Sequence, residues 1–559
     1  MWERLSRIVF QIKPEYLFGV LGILFFFVSL FFVAVSPLPW QGLFLKQTPN
    51  FSYPVFNQPD EAANYLFIHD AWKTASFGVY EPLSNVTASQ VHPRSVTVVA
   101  SELVPIGFPG FVSLMYLVTL PFFLLFGEGF ATVLLVLIIP LMAASTPYLL
   151  YRVLVHAMDE RIARLSGLLL FVLPPWWYYA SRSLQTPILF VWFVLMSLFL
   201  LFVSSSVRYQ KTLTALSGIA LALAIFIRPS EVLWIGVVAA VLLYRVRKYI
   251  DWSVFIYWVF GIIGVGILFF VNQYLWYGHI FSTGYAMPQS SGVGGTIFQS
   301  PQGRFWFQGF FFPFGFHPLI ILQTVYQYSV QLFSVWAIAV VFGVIAVYKK
   351  WVVGEIHHMY QKIVLGVSLF LLCSYGSWKF VDNVLGVASI GSSQVRYFLP
   401  VYVLLLPFVV MGMQYIYTLF SHKKLVLFFV LCSLLFTTTA VVYGPPEGLL
   451  SLQKTLAGYV DWREQVLKRT PSQSVIVTRY ADKYLVPFRK VIPGFQEEYE
   501  MDAVKALLLG NVPVFWFDVI LSDEEYQKNQ ERISPKQLVL SPPLAQWGGL
   551  ELRKIELKK

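Results

Sequence analysis

Runs of about 20 apolar residues recur along this chain between residues 15 and 443, and they leave it one class of fold. A helix of that length crosses the hydrocarbon core of a bilayer, where only helices or closed barrels satisfy the backbone. The chain is 57% hydrophobic, 18% aromatic and only 12% charged over 559 residues, with a mean hydropathy of +0.65. No soluble domain carries so much apolar surface. The net charge of +11 does not point to nucleic acid, because the basic residues gather at the ends of apolar runs in the positive-inside pattern. Cys373 and Cys432 lie in or beside apolar runs, so there is no disulfide framework or cysteine metal spacing. Asn85-Val86-Thr87 matches a glycosylation sequon, a pattern too short to be specific.

Arg4, Arg7 and Lys13 precede the first run, residues 15–36, which places the N-terminus in the cytoplasm. That run is too long, and lacks the small-residue cleavage site, for a removable signal peptide. Residues 37–102 follow as a long outside loop, ending in the proline-broken entry 104–110. Further runs fall near 110–126, 130–151, 165–181, 186–206, 212–227, 230–244, 252–272, 319–347, 361–380, 398–418 and 425–443. Arg245, Arg247 and Lys248 mark a cytoplasmic loop, which puts Arg182 and Arg228 on the outside by alternation. These make twelve runs, yet an inside N-terminus and an outside C-terminus require an odd number of crossings. The discrepancy lies between residues 37 and 151, where one crossing is missing or one run does not span. The expected fold is thus an α-helical polytopic membrane protein of about 11–13 transmembrane helices, residues 1–444, followed by a small extracytoplasmic α/β domain, residues 445–559.

The C-terminal part holds 16 of the 40 basic and 15 of the 29 acidic residues, as a soluble domain would. Residues 474–478 and 512–517 read as buried strands, Ser522 with Glu525 as a capping box, and 550–557 as a final strand. No catalytic constellation is visible there, and docking or scaffolding is the default role.

Within the outside loop, Asn57-Gln58-Pro59-Asp60-Glu61-Ala62-Ala63-Asn64-Tyr65 reads as the start of a helix. Asn57 or Gln58 suits the cap, Pro59 the first turn, and two carboxylates the positive end of the dipole. Only 14 carboxylates serve residues 1–444, and ionisable groups near membrane depth tend to be functional. On the same expected side lie His92, Arg94, Arg182, Arg228, Arg304, His317 and Arg396. An acidic pair facing many cations suggests chemistry on a phosphate-bearing lipid, with arginine holding phosphate and a carboxylate acting as base. Taken singly, each arginine is equally explained as a headgroup anchor.

Asp60-Glu61-Ala62-Ala63-Asn64-Tyr65 resembles the Asp-Glu motif of GT-C membrane glycosyltransferases, in particular protein O-mannosyltransferases and the lipid A aminoarabinose transferase. Arg396-Tyr397-Phe398-Leu399-Pro400 is similar to the Arg-Tyr-Leu-Leu-Pro entry of a late helix in those enzymes, and His92-Pro93-Arg94 to their basic-proline segment. The likeness covers residues 1–445 in layout and some twenty residues in motifs. The chain departs at Arg182-Ser183-Leu184-Gln185, where those families often have an acid after the arginine, and at His-Pro-Arg in place of Lys-Pro-Pro.

The resemblance implies inverting transfer of a sugar from a polyprenyl-phosphate carrier to a lipid, glycan or protein acceptor outside the cytoplasm, at the plasma membrane. Asp60 would be the base, and Glu61 either orients its partners or is structural. Arg396, Arg94, His92 and Arg228 would neutralise the phosphate, with Arg182, Arg304 and His317 as further candidates. Tyr65 and Tyr397 either hydrogen-bond sugar or phosphate or anchor at the wet interface. The aromatic stretch 305–316 would cover the prenyl chain. The resemblance admits a divalent metal, which relatives with two acidic sites use, but the chain shows no second acidic cluster. The rival from another class is a transporter or flippase of lipid-linked sugars, which needs the basic groove and no base. A non-catalytic scaffold is a third reading.

Overall fold

The computed structural model describes residues 11–38, 53–107, 109–204, 209–246, 251–282, 314–349, 358–378, 388–419, 423–444 and 447–558. Arg304, the glycine-rich stretch 291–295, Lys379 and Asp382 lie outside the described residues, as do residues 305–313 of the aromatic segment. The chain divides into two compact units, neither of them continuous in sequence. The first comprises Met1–Val33, Val136–Phe269 and Ser300–Leu452, the second Ala34–Leu135, Phe270–Gln299 and Gln453–Lys559.

The first unit is helical. Among the described residues of the whole chain, six helices are long and apolar enough to cross a membrane, or seven counting Ser393–Leu404 with Leu406–Leu419 as one span bent by 60°. The protein is therefore a multi-pass membrane protein. Small residues bring its helices together, as expected where apolar side chains gain nothing by leaving lipid. A Cβ on Gly343 would collide with the carbonyl of Phe408, and one on Gly412 with that of Ala339, so the two backbones cross in direct contact. Ser197 and Ser217 join helices Thr186–Ser204 and Gln210–Ile227 through hydroxyls 3.1 Å apart. The run expected at 165–181 is not one helix but two, Glu160–Leu170 and Pro174–Ala180. Pro174 and Pro175 remove two backbone donors and end the first helix before them.

The second unit combines part of the long loop with the C-terminal residues. Val475–Thr478 pairs in parallel with Lys490–Pro493 on one side and with Val514–Val519 on the other. Leu550–Leu557 then pairs antiparallel with Val514–Val519. The expected strands are all present, and the capping box closes as read: Glu525 N donates to Ser522 Oγ (3.3 Å) and Ser522 N to Glu525 Oε2 (2.9 Å). The sheet core includes Val477, Ile492, Phe495, Trp516 and Ile555.

The loop contributes helix Pro59–Thr74 and the strands Val79–Tyr80, Val96–Val99 and Glu102–Pro105. Helix Gly110–Phe126 packs on Pro59–Thr74: Trp72 Nε1 donates to Thr119 Oγ1 (3.0 Å) and its ring stacks on Phe123 (5.6 Å).

Candidate functional site

Gln58 caps helix Pro59–Thr74, and Glu61 in its first turn accepts Gln58 N at 3.1 Å. Glu61 is fully buried, and its carboxylate closes the start of the helix. Asp60 is only half-buried, and Ser95 Oγ donates to its Oδ1 at 2.6 Å. Ser95 has a φ of 63°, the left-handed region that a side chain rarely adopts, and it sits where the loop turns into strand Val96–Val99.

Tyr65 is buried with its hydroxyl 3.0 Å from Thr132 Oγ1 and its ring edge-on to Tyr53. Burial pushes its hydroxyl pKa up, and the geometry is that of a core tyrosine rather than an interfacial anchor. His69 and Lys73, one turn apart, both reach Glu128 at 3.0 Å and fix the far half of the helix. None of these three stood out in the sequence.

Two of the expected phosphate ligands are placed for other work. His92 is buried with Nδ1 2.9 Å from Pro93 O, and burial holds its pKa below the usual histidine value. A neutral ring adds no positive charge to a phosphate site near pH 7. Arg94 is bound to Asp482, whose carboxylate accepts from Arg94 Nη2 (2.7 Å), Nε (3.0 Å) and backbone N (2.8 Å). Its guanidinium also lies over the Tyr480 ring and donates to Tyr480 O. Burial alone would raise the pKa of Asp482, but the charge and hydrogen bonds of Arg94 outweigh it and hold it below the usual carboxylate range.

The remaining cations belong to the first unit, which brings three of them into one basic and aromatic layer. Arg182, on the turn between helices Pro174–Ala180 and Thr186–Ser204, is fully buried and donates to Tyr178 Oη (2.9 Å). Among the described residues, the neighbouring hydroxyls of Ser181 and Ser183 are buried without a hydrogen-bond partner. Tyr179 Oη donates to Ser392 O (3.1 Å), and its ring lies in the fields of Arg396, Arg182 and Glu447. Arg228 pairs with Glu231 (2.7 Å) between the rings of Phe190 and Tyr397, and reaches Arg396 O at 3.5 Å. Arg396 lies over Tyr397, whose ring stacks on Tyr375 at 4.3 Å. Glu447 accepts Gly391 N (3.1 Å); a Cβ at Gly391 would come within 2.6 Å of both Glu447 Oε2 and Tyr178 Oη, so a side chain here would displace both. Glu447, Tyr178 and Tyr179 were not legible as members of this layer. His317 is exposed at the start of helix Pro318–Val325, its backbone N donating to Ser377 Oγ (3.0 Å).

Among the described residues no three His, Cys, Asp or Glu side chains converge, so the acids present do not assemble a metal-ligand set. Chemically, the second unit offers a half-exposed carboxylate held by a hydroxyl, and the first a buried cationic layer with unpartnered hydroxyls.

No family model matches the chain, and no curated protein matches it in sequence. Its structure is similar to that of ArnT from Cupriavidus metallidurans bound to undecaprenyl phosphate, with a TM-score of 0.51 and 12% identity over 96% of this chain and 97% of that one. The apo state of the same protein gives a TM-score of 0.50. The Archaeoglobus fulgidus oligosaccharyltransferase tethered to an acceptor peptide also gives 0.50, at 10% identity, over 90% of this chain and 69% of that one. At such identities the likeness is one of fold, and the chain has the fold of the GT-C membrane glycosyltransferases.

Proposed function

We propose that the protein is an inverting glycosyltransferase that moves a sugar from a polyprenyl-phosphate donor to an acceptor on the extracytoplasmic face of the plasma membrane. The observation that carries this reading is the placement of Asp60: a half-exposed carboxylate in the first turn of a loop helix, held by Ser95, in a chain with the fold of ArnT. Asp60 takes the proton of the acceptor hydroxyl as its oxygen attacks the anomeric carbon. The bond from that carbon to the phosphate oxygen breaks, its electron pair leaves with the polyprenyl phosphate, and the configuration inverts. Arg182 and Arg396 neutralise phosphate charge, and the hydroxyls of Ser181 and Ser183 add donors to it. Arg228, balanced by Glu231, holds the aromatic layer around them.

The proposed topology has the N-terminus inside and the loop and the C-terminal α/β layer outside. Helix Gly110–Phe126 is the run we take not to cross, because it packs on the loop helix. The eleven other runs expected from the sequence then give the odd number of crossings that the two ends require.

The test is transfer by purified protein in proteoliposomes, with a panel of labelled polyprenyl-phosphate sugars and native lipid, glycan and protein extracts as acceptors. Transfer from one donor is expected. Movement of the donor between leaflets with no transfer would make the protein a flippase instead.

A further inference from the structure

In open α/β sheets a ligand is usually bound at the carboxyl ends of the parallel strands, where the strand order reverses. Here that point lies between Val475–Thr478 and Val514–Val519, since the chain runs from the first of these to Lys490–Pro493 on one side and returns to the other. An internal ion pair fills it: Asp518 accepts from Arg479 Nε (2.9 Å) and backbone N (3.1 Å). The segment that leaves the first strand, residues 480–483, grips the loop instead. Asp482, with no exposed surface, accepts from three nitrogens of Arg94, and Lys483 Nζ donates to Asn57 O at 2.6 Å. Asn57 immediately precedes the cap of the helix that carries Asp60. Arg94 immediately precedes Ser95, whose hydroxyl holds Asp60. The two attachments therefore close on the same carboxylate from both sides.

We infer that Asp482 is a positioning residue for Asp60, acting through Arg94 and Ser95, and that the C-terminal α/β layer holds the base in place rather than binding a substrate of its own. Three geometric facts support this. The Arg94 backbone N, not only its side chain, is bound by Asp482, so the main chain entering Ser95 is fixed. Ser95 keeps a positive φ, which persists only where its surroundings over-determine it. The bond that results is a short charge-assisted one to a single oxygen of Asp60. The inference rests on the reading of Asp60 as base.

The experiment is a double-mutant cycle on transfer, using the full-length protein in proteoliposomes: wild type, Asp482→Asn, Ser95→Ala and the double variant, with Asp60→Asn as control and thermal shift on each. Each single variant is expected to lower kcat about 10-fold, the loss of one hydrogen bond to a charged group, with donor KM within about twofold. The effects are not additive: in the Ser95→Ala background, Asp482→Asn costs less than about twofold. Additive losses, or a loss confined to KM, overturn the inference while Asp60 stands. If Asp482→Asn does not fold, Arg94→Lys, which removes the guanidinium bonds to Asp482, replaces it in the cycle, and additivity there overturns the inference equally. A transfer-competent Asp60→Asn overturns both this inference and the reading beneath it.

Discussion

Ser95 donates its hydroxyl hydrogen to Asp60 at 2.6 Å from the position immediately before strand Val96–Val99. Of the two adjacent carboxylates this leaves one facing outward and one folded inward, with different consequences on replacement.

Glu61 caps its own helix while fully buried. Glu61→Ala is expected to destabilise the protein by about 1 kcal/mol or somewhat more, the cost of a lost cap. Transfer per folded molecule stays within about threefold of wild type. Thermal shift and a rate normalised to folded protein check this; a rate loss as deep as that of Asp60→Asn at unchanged stability would restore Glu61 as a catalytic group.

His92 is buried neutral, with its pKa below the ordinary value mainly through burial. Its contribution to stability is present above the unfolded pKa of about 6.5 and is lost as pH falls through the folded value. Thermal shift from pH 8 to pH 5 should show wild type losing stability relative to His92→Asn. Asp482 titrates lower, so the wild-type advantage over Asp482→Asn holds from pH 8 to pH 5 and shrinks only below about pH 4. Donor KM is unchanged by His92→Asn; a raised KM would return His92 to the phosphate site.

Arg228 and Glu231 form a buried pair, and Glu231 also accepts from Trp234 Nε1 at 2.5 Å. Arg228→Met leaves that carboxylate buried without its cation and should cost about 3–5 kcal/mol. Adding Glu231→Gln should recover much of it. Thermal shift on the two variants decides the matter, and equal losses in both would show that arginine packing between Phe190 and Tyr397 dominates.

Helix Gly110–Phe126 leaves Leu124, Leu125 and Phe126 exposed while Trp72 holds its other side. In a background lacking Cys373 and Cys432, single cysteines at Ser101 and Gly127 should both react with a membrane-impermeant reagent added outside. Labelling at Gly127 only after permeabilisation would make this helix a crossing.

Local pattern carried the sequence reading far where the cause was local. The helix start at Gln58–Asp60, the Ser522 and Glu525 box and the strands at 475–478, 514–519 and 550–557 all follow from side-chain spacing and capping. The break at Pro174-Pro175 was visible as chemistry but lost in a run that was apolar throughout. What the sequence could not yield were pairings across distance. Arg94 meets Asp482, 388 positions away, and a basic residue read beside its neighbours looks like a phosphate ligand whatever its partner turns out to be. The state of His92 was hidden for a related reason, because its charge depends on burial that no neighbouring residue reveals. Glu128 likewise gains its meaning from His69 and Lys73, and Glu447 from the turn at Gly391.

The measurement closest to the central claim is transfer by Asp60→Asn, set beside donor binding by the same folded variant. General base catalysis contributes about 100-fold to 10,000-fold, so transfer should fall by that range while donor affinity changes little. An Asp60→Asn protein that transfers sugar within about threefold of wild type would contradict the account.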